Sequence, residues 1–377
     1  MRRVEDHPSR RAFLGAGATA LAAGLAGCEP GVTRPEQRAA GVPPTGRHQA
    51  GVALPREAQP HLLVVVADVG DGVAVGPLLA DLGAAVLDLA AGADARLLGL
   101  PPGDLTVTVG VGPRLVRAVD PALPGAADLP AFAHERVVPQ ARGGDLLVQL
   151  CAGDPVVLPV AAGALLARAG DRVRERWRQS GRRGSTVPVN QEVSAPRNVF
   201  GFVDGVVGPH TAERQERDLW LAGPGPVAGG TLAVLRRMEL DLARFAALPV
   251  AAQEAVFGRR RDTSAPLSGG TVATDPDLNA KTPDGRYLIP ADAHLRRAHS
   301  AAVGVGLMLR RSYSIDEPSP GLLFMSFQND IRTFTSTLTR MENGDALLPF
   351  TTTTATATFL ILPGFDRDHP LGAALFA

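Results

Sequence analysis

The chain has 377 residues, 45% of them hydrophobic, so it is long and apolar enough to bury a substantial core. Its 38 basic side chains are balanced by 38 acidic ones, which leaves no net field to attract polyanions, and nucleic acid is not an expected partner. Short arginine runs such as Arg182–Arg183 and Arg259–Arg261 are predicted to be solvated surface or salt-bridge partners and not a binding patch. The two cysteines are Cys28 and Cys151, and a structural disulfide is not expected because the first falls in a leader-like segment.

Residues 1–28 have the features of an export signal. Arg10 and Arg11 precede a moderately apolar run of alanine, glycine and leucine that is too short to span a bilayer, a pattern typical of a twin-arginine signal. The sequence Leu-Ala-Gly-Cys that ends at Cys28 resembles a lipobox, in which the cysteine is acylated. We therefore expect recognition by the twin-arginine translocase and an extracytoplasmic location, in the periplasm or on the outer face of the cell membrane. A lipid on Cys28 would tether the protein to the membrane surface.

The folded part of the chain is predicted to begin near residue 59. Residues 29–58 are rich in proline and poor in apolar side chains, which predicts a flexible linker. Beyond it, apolar and β-branched runs predict strands over 62–66, 105–109 and 145–150. Alanine- and leucine-rich stretches predict helices that end near 89 and 169. Residues 59–205 are therefore predicted to form one α+β unit.

The same order of elements recurs in residues 206–377. Strands are predicted over 231–235, 306–309, 322–327 and 358–362, and helices over 241–257 and 330–341. Two similar ferredoxin-like α+β units are implied, and they are expected to pack against each other because neither hides its apolar faces alone. The polar, irregular stretch 259–301 is expected to carry function, as long irregular segments within compact domains often do.

The most informative string is Arg197–Gly205, which places Asp204 beside Gly205 and close to Phe202 in a glycine-bounded turn. An isolated aspartate of this kind is usually an ordinary turn residue. The whole string, however, closely resembles the signature Arg-Asn-x-Phe-Gly-Phe-x-Asp-Gly of the dye-decolourising peroxidases. The resemblance continues in order through 143–152, 229–231, 290–296, 309–314 and 321–330, which is essentially the whole mature chain.

The resemblance implies a haem-dependent peroxidase that binds haem b (iron protoporphyrin IX) in its C-terminal half, within two units packed as a dimeric α/β-barrel-like fold. It implies that His294 is the proximal iron ligand, that Asp330 is the carboxylate partner of His294, and that Asp204 and Arg310 lie on the peroxide side. Gly205 and Phe202 are implied to contact the haem. Such a set is chemically coherent, because haem iron needs one strong protein ligand and an open opposite face with an acid–base group and a cation.

Several assignments have competitors in the sequence. His299 is the nearest rival to His294 as ligand, and Arg311 would replace Arg310 if the strand register shifted by one residue. His210 is equally consistent with a place near the haem edge and with the surface, and Asp292 with a turn and with the ligand loop. The chain also departs from the family pattern after Gly205, after His294, and at Ser312, where a glycine is customary.

Hydrogen peroxide and an organic or metal-ion reductant, such as a dye or a phenol, are the expected substrates. Surface aromatic residues could relay electrons, and the candidates are Trp177, Trp220, Tyr287 and Tyr313. The alternative function is a haem-binding, deferrochelatase-like protein of iron uptake. The α+β pattern argues against a globin-like gas sensor, and the sequence leaves open the physiological reductant and the oligomeric state.

Overall fold

The structure is a computed structural model that describes residues 41–191 and 194–376. The predicted twin-arginine signal, Cys28 and the first part of the predicted linker lie outside the described residues. In the part that is described, no helix combines the length and the apolar character needed to cross a membrane.

The N-terminal unit is a four-stranded antiparallel sheet with three helices packed on one face. Its strands lie in the order β2-β3-β1-β4, with all neighbours antiparallel. The elements are β1 His61–Val69, α1 Val75–Ala90, β2 Thr106–Val111, α2 Pro113–Val119, β3 Leu146–Ala152, α3 Val157–Ala169 and β4 Val173–Arg182. The apolar run in β1 is continuous because its alternate residues pack against two different cores: Leu63 and Val65 face the helices, whereas Leu62 and Val64 face the other side of the sheet.

The C-terminal unit repeats this architecture after a connecting segment. The connection contains β5 Thr186–Pro188, β6 Ser194–Pro196 and α4 Ala212–Asp218. The unit itself contains β7 Thr231–Leu240, α5 Leu242–Ala246, α6 Val250–Phe257, α7 His294–Arg297, β8 Leu309–Arg310, β9 Tyr313–Ile315, β10 Gly321–Gln328, α8 Ile331–Glu342 and β11 Thr351–Ile361. Its strands lie in the order β11-β7-β10, with β9 and β8 both paired to the free edge of β10.

The two sheets join edge to edge into a closed barrel. β11 pairs with β2 at one junction and β4 pairs with β9 at the other, so the strands form a continuous antiparallel ring. The barrel interior is filled by apolar side chains from both units, among them Leu147, Leu235, Tyr313 and Phe359. The predicted α+β class and the barrel-like packing of two similar units are therefore confirmed.

Three details differ from the sequence-based expectations. The predicted helix over 241–257 is two helices, α5 and α6, because Pro249 interrupts the helical hydrogen-bond ladder. The predicted linker is too long, because the Gln49 side chain is only 3% exposed and hydrogen-bonds the backbone of Val109 and Leu362. The predicted boundary at residue 205 falls inside the connecting segment, since the first unit ends with β4 and the second begins with β7.

Candidate active site

A cavity of about 250 Å³ lies on the helical side of the C-terminal sheet. Outward-facing side chains of β7 and β10 form its floor, and α6, α7 and α8 contribute to its walls. The apolar lining includes Met238, Leu240, Phe257, Leu322, Phe324, Phe334, Leu338 and Leu347. Five of the six residues predicted for the site line this cavity, namely Phe202, Asp204, Gly205, His294 and Arg310. The fold therefore brings together residues that lie far apart in the chain.

His294, the first residue of α7, is fixed by a buried carboxylate. Its Nδ1 lies 2.8 Å from Oδ2 of Asp345, whose side chain is fully buried. The other carboxylate oxygen of Asp345 accepts the backbone N–H of Leu347 at 2.8 Å, so the carboxylate itself cannot rotate. Burial lowers the pKa of His294, but the charge of Asp345 and its hydrogen bond outweigh burial and leave the pKa raised. Because Asp345 occupies Nδ1, Nε2 is the ring nitrogen left for the cavity.

The prediction that Asp330 is the carboxylate partner of His294 is wrong. Asp330 is the N-cap of α8, where Oδ1 accepts the backbone N–H of Arg332 and Oδ2 pairs with the Arg332 guanidinium. Asp345 lies just beyond the other end of the same helix, so the twelve residues of α8, a length of roughly 18 Å, lie between Asp330 and Asp345. Asp345 was missed because nothing in its local sequence distinguishes it from other acidic residues that follow a helix.

Asp204 lies in a loop whose turns are formed by an asparagine and by glycines of the Arg197–Gly205 string. The Asn198 side chain accepts the backbone N–H groups of Phe200 and Phe202, and Gly201 adopts a φ of +89° that strongly favours glycine. The Asp204 N–H donates to Pro196, and the Gly205 N–H donates to Asp204 Oδ1 at 2.7 Å. These hydrogen bonds hold the loop backbone and thereby fix the position of the Asp204 carboxylate.

Asp204 faces Arg310 across one end of the cavity. Oδ1 of Asp204 lies 3.7 Å from Nε of Arg310, and each side chain is 26% exposed. Arg311 points to the other side of the strand, where it is buried and donates to the carbonyl of Pro55. The register predicted from the sequence is therefore confirmed, and Arg310 is the arginine that lines the cavity.

Phe202 supports the histidine side of the cavity through a stack of aromatic rings. Its ring stacks on Phe257 with centroids 4.0 Å apart, and the edge of Phe257 meets the His294 ring at 6.0 Å. Gly205 has a φ of +84° and open space where a Cβ would point, so the backbone conformation explains this glycine better than crowding does.

Arg259 carries a buried positive charge that the sequence analysis assigned to the surface. It is 7% exposed, lines the cavity, and donates only to the carbonyls of Ser264 and Val272. Burial, and then the charge of Arg310, lower the pKa of Arg259 to about 10. Among the described residues no carboxylate pairs with Arg259, so Arg259 and Arg310 together give this part of the cavity an excess of positive charge.

The structure also shows where the alternative site residues His299, His210 and Asp292 lie. His299 also lines the cavity, but its buried Nδ1 has no hydrogen-bond partner among the described residues, so nothing comparable to Asp345 orients it. His210 is half-buried outside the cavity lining, and burial lowers its pKa. Asp292 is an exposed turn residue whose carbonyl accepts the N–H of Ala346.

The predicted electron-relay aromatics are mostly internal. Trp220 is buried and stacks on His48 with ring centroids 3.7 Å apart, and Tyr313 is buried in the barrel, where it donates to the carbonyl of Gln59. Trp177 packs at the edge of the same core. Tyr287 is 44% exposed, which makes it the candidate with the most direct access to solvent.

Comparison with known proteins assigns the chain to a family. Residues 49–183 match the family model described as "Dyp-type peroxidase, N-terminal", and residues 195–366 match the one described as "Dyp-type peroxidase, C-terminal". The chain therefore belongs to the Dyp-type peroxidase family and is a haem peroxidase. The activity expected from the sequence, with haem as cofactor and with hydrogen peroxide and a reductant as substrates, is confirmed.

Individual relatives agree with this assignment. The dye-decolorizing peroxidase of Thermobifida fusca is 36% identical over 311 residues, which cover 76% of this chain and 70% of the relative. A deferrochelatase of Escherichia coli is 28% identical over 413 residues, which cover 98% of this chain and 97% of the relative. Among solved structures, a DyP-type peroxidase from Cellulomonas bogoriensis is 32% identical with a TM-score of 0.81, over 90% of this chain and 99% of that one. DtpA from Streptomyces lividans, solved as an oxyferrous complex, is 29% identical with a TM-score of 0.82, and the match covers 90% of this chain and 98% of that one.

The residues that line the cavity fit a haem group. Apolar walls suit a porphyrin face, and the Nε2 nitrogen of His294 is a suitable iron ligand because Asp345 already accepts the proton on Nδ1. The excess positive charge at Arg259 and Arg310 suits the carboxylates that a haem b carries at its edge. The donor set, the apolar surface and the charge therefore agree with one another.

Proposed function

We propose that His294 ligates the haem iron through Nε2 and that Asp204 and Arg310 form the peroxide-handling side of the site. The observation that carries this proposal is that His294, oriented by Asp345, and the Asp204–Arg310 pair line one apolar cavity. When bound, haem iron supplies the redox chemistry by which hydrogen peroxide oxidises a reductant. The protein residues then orient the groups and move the protons.

Asp345 determines the electronic character of the ligand in this proposal. A carboxylate that accepts the Nδ1 proton of His294 fixes the tautomer and increases the electron density at Nε2. The fully buried Asp345 strengthens this effect, because little solvent screens its charge. An electron-rich ligand favours cleavage of the O–O bond.

Asp204 and Arg310 would divide the work on peroxide between them. An oxygen of the Asp204 carboxylate takes a proton from one peroxide oxygen and returns it to the oxygen that leaves as water. The Arg310 guanidinium is charged at every relevant pH and stabilises the negative charge that develops between these steps. The 3.7 Å separation keeps the two groups close without a direct hydrogen bond, so both remain available to a small ligand.

The test of this proposal is the reaction of the purified haem protein with hydrogen peroxide. Rapid mixing with hydrogen peroxide should change the Soret absorbance of the wild type, and addition of a phenol or dye should then restore the starting spectrum. Arg310→Leu should retain haem but lose this response. A wild-type Soret band that peroxide leaves unaltered would contradict the proposal.

A second candidate function is removal of iron from haem. It is favoured by the deferrochelatase relatives, which match nearly the full length of the chain. Incubation of the haem protein under reducing conditions, followed by assay of the free porphyrin, distinguishes the two. Release of metal-free porphyrin would support the second candidate, and its absence alongside peroxide turnover would support the peroxidase.

We further propose that the protein is exported by the twin-arginine translocase and anchored by a lipid on Cys28. Arg10, Arg11 and the lipobox-like sequence support this, as does a cofactor that is inserted during folding, because such cargo needs a route for folded proteins. Fractionation of cells that express the full chain tests it. The wild type should pellet with membranes, Cys28→Ser should be released from them, and Arg10→Lys with Arg11→Lys should remain in the cytoplasm.

A further inference from the structure

A second, much smaller chamber adjoins the main cavity at the Asp204–Arg310 pair. Both line the chamber as well as the main cavity, so the two spaces meet at these side chains. The remaining wall comes from the end of β4, the start of the Asp204 loop and the strand that follows Arg310. Its residues are Arg182, Arg183, Gly184, Pro196, Arg197, Asn198, Gly205, Ser312, Ser314 and Leu322. The chamber volume is about 10 Å³, close to the smallest space that holds one water molecule.

One buried polar atom of the chamber wall, Oγ of Ser312, lacks a hydrogen-bond partner among the described residues. The guanidinium of Arg183, whose Nε is also unpaired among those residues, lies over the Tyr313 ring on the other face of the strand and is not available to the chamber. Ser312 is only 9% exposed, so bulk solvent reaches its hydroxyl poorly. A buried hydroxyl without a partner costs about 1–3 kcal/mol, so this hydroxyl indicates that a small polar molecule belongs beside it in the chamber.

The guanidinium groups of Arg182 and Arg197 are already occupied. Arg182 forms an ion pair with Asp316, and Arg197 donates to the carbonyls of Gly201, Arg261 and Asp262. Ser312 lies two residues beyond Arg310 on the same side of the strand, so its side chain faces the chamber. Arg311 and Tyr313 point the other way, towards the carbonyls of Pro55 and Gln59.

We propose that the chamber binds one water molecule that links Ser312 Oγ to the Asp204 carboxylate, and that Ser312 is a positioning residue on the path by which protons reach Asp204. A bound water needs two to four polar partners. Ser312 Oγ and the Asp204 carboxylate supply two. The inference rests on the proposed role of Asp204 and adds to it a route to solvent.

The reaction requires such a route. Reduction of one hydrogen peroxide to two waters consumes two electrons and two protons. Two molecules of a phenol supply the electrons, and each becomes a phenoxyl radical and releases its proton to solvent. The protons used at the buried site must therefore enter separately. The chamber water gives a proton to an oxygen of Asp204 and takes one from the next donor towards solvent, so the water itself is unchanged overall.

The experiment combines a crystal structure with kinetics on the haem-loaded protein. The wild type should show one ordered water within about 3.2 Å of Ser312 Oγ and of Asp204. Ser312→Val should fill the chamber and remove the water. In Ser312→Ala the rate constant with which a phenol returns the peroxide-treated protein to its starting spectrum should fall about tenfold, and the solvent deuterium isotope effect on this rate constant should rise. The haem content, the Soret band and the rate constant of the initial reaction with hydrogen peroxide should stay unchanged, because that step needs no proton from solvent.

Two further variants separate a proton path from a structural effect. Ser312→Thr keeps the hydroxyl and should retain the wild-type isotope effect. Ser326→Ala removes another buried, unpartnered hydroxyl of the same sheet that does not line the chamber, and it should behave as the wild type.

The possible failures are distinguishable. A chamber without water in the wild type, or an unchanged rate constant for the return to the starting spectrum with an unchanged isotope effect in Ser312→Ala, would overturn the proton path alone. A wild-type protein that binds haem but does not react with peroxide would overturn the proposed function, and the proton path with it.

Discussion

Nδ1 of His294 and Oδ2 of Asp345 lie 2.8 Å apart, although 51 residues separate them in the chain. The pair connects the start of α7 to the turn after α8. It leaves Nε2 of His294 available to a haem iron and fixes the ring orientation through a carboxylate that is itself held by the Leu347 N–H.

Asp345→Asn should raise the reduction potential of the haem iron and lower peroxide reactivity about 10–100-fold, because a neutral amide donates less electron density to the ligand. The potential is measured by spectroelectrochemistry. Asp330→Asn is the matched control, since Asp330 only caps α8. It should leave the potential unchanged and reduce the free energy of unfolding by about 1 kcal/mol or less. Equal potentials in Asp345→Asn and the wild type would contradict the assignment of Asp345.

Asp204→Asn should lower the second-order rate constant for hydrogen peroxide by about 10²–10⁴-fold with little effect on haem content, because the carboxylate moves protons and does not hold the iron. Stopped-flow absorbance gives the rate constant. Glu213→Gln, on the exposed face of α4, removes a carboxylate of the connecting segment outside the cavity and should have no effect. A comparable loss in both variants would argue against a specific role for Asp204.

Arg259→Met should have opposite effects on the apoprotein and on haem binding. Without haem, the buried guanidinium lacks a counter-charge, so its removal should leave the melting temperature unchanged or raise it. With haem, loss of a charge-assisted hydrogen bond should weaken binding by about 1.5–3 kcal/mol. Arg96→Met, at the surface, is the control. Transfer of haem to apomyoglobin measures retention, and unaltered transfer from Arg259→Met would show that the charge serves another purpose.

Cys151 should be unreactive in the folded protein. Burial raises the pKa of its thiol to about 11, and the hydroxyl of Tyr313 contacts the sulfur at 3.6 Å. At pH 8 the thiolate fraction is then about 100-fold below that of a thiol with a pKa of 9. In a Cys28→Ser background, a thiol reagent should label Cys151 rapidly only after denaturation. Rapid labelling of the native protein at pH 8 would contradict this prediction.

The raised pKa of Cys151 also makes stability depend on pH. The contribution of the neutral thiol to the free energy of unfolding is complete below pH 9 and is lost as the pH rises towards 11.

The sequence was most informative where the local pattern and the tertiary environment agree. β1 could be predicted because both of its faces are buried, which demands an uninterrupted apolar run. The Asp204 loop could be predicted because its asparagine and glycines are required by the turns themselves. β4 was missed because arginine and glutamate occupy much of a strand that is only partly buried.

The parts of the site that were missed depend on long-range contacts. Asp330 and Asp345 are both acidic residues at the ends of one helix, and only the packing of α7 determines which one meets His294. Asp330 was assigned from the resemblance to the family, whereas its local pattern is that of an N-cap, which describes the helix and not the haem site. Arg259 was assigned to the surface because it begins a run of three arginines, although the C-terminal end of α6 directs it inwards.

The most direct test of His294 as the iron ligand is the haem content of His294→Gly compared with that of His299→Gly. Both histidines line the cavity, but among the described residues only His294 has a carboxylate that orients it. We predict that His294→Gly loses the Soret band of the wild type and regains it when imidazole is added, whereas His299→Gly retains haem and peroxide reactivity. A wild-type Soret band in His294→Gly without imidazole, or loss of haem in His299→Gly with rescue by imidazole, would contradict it.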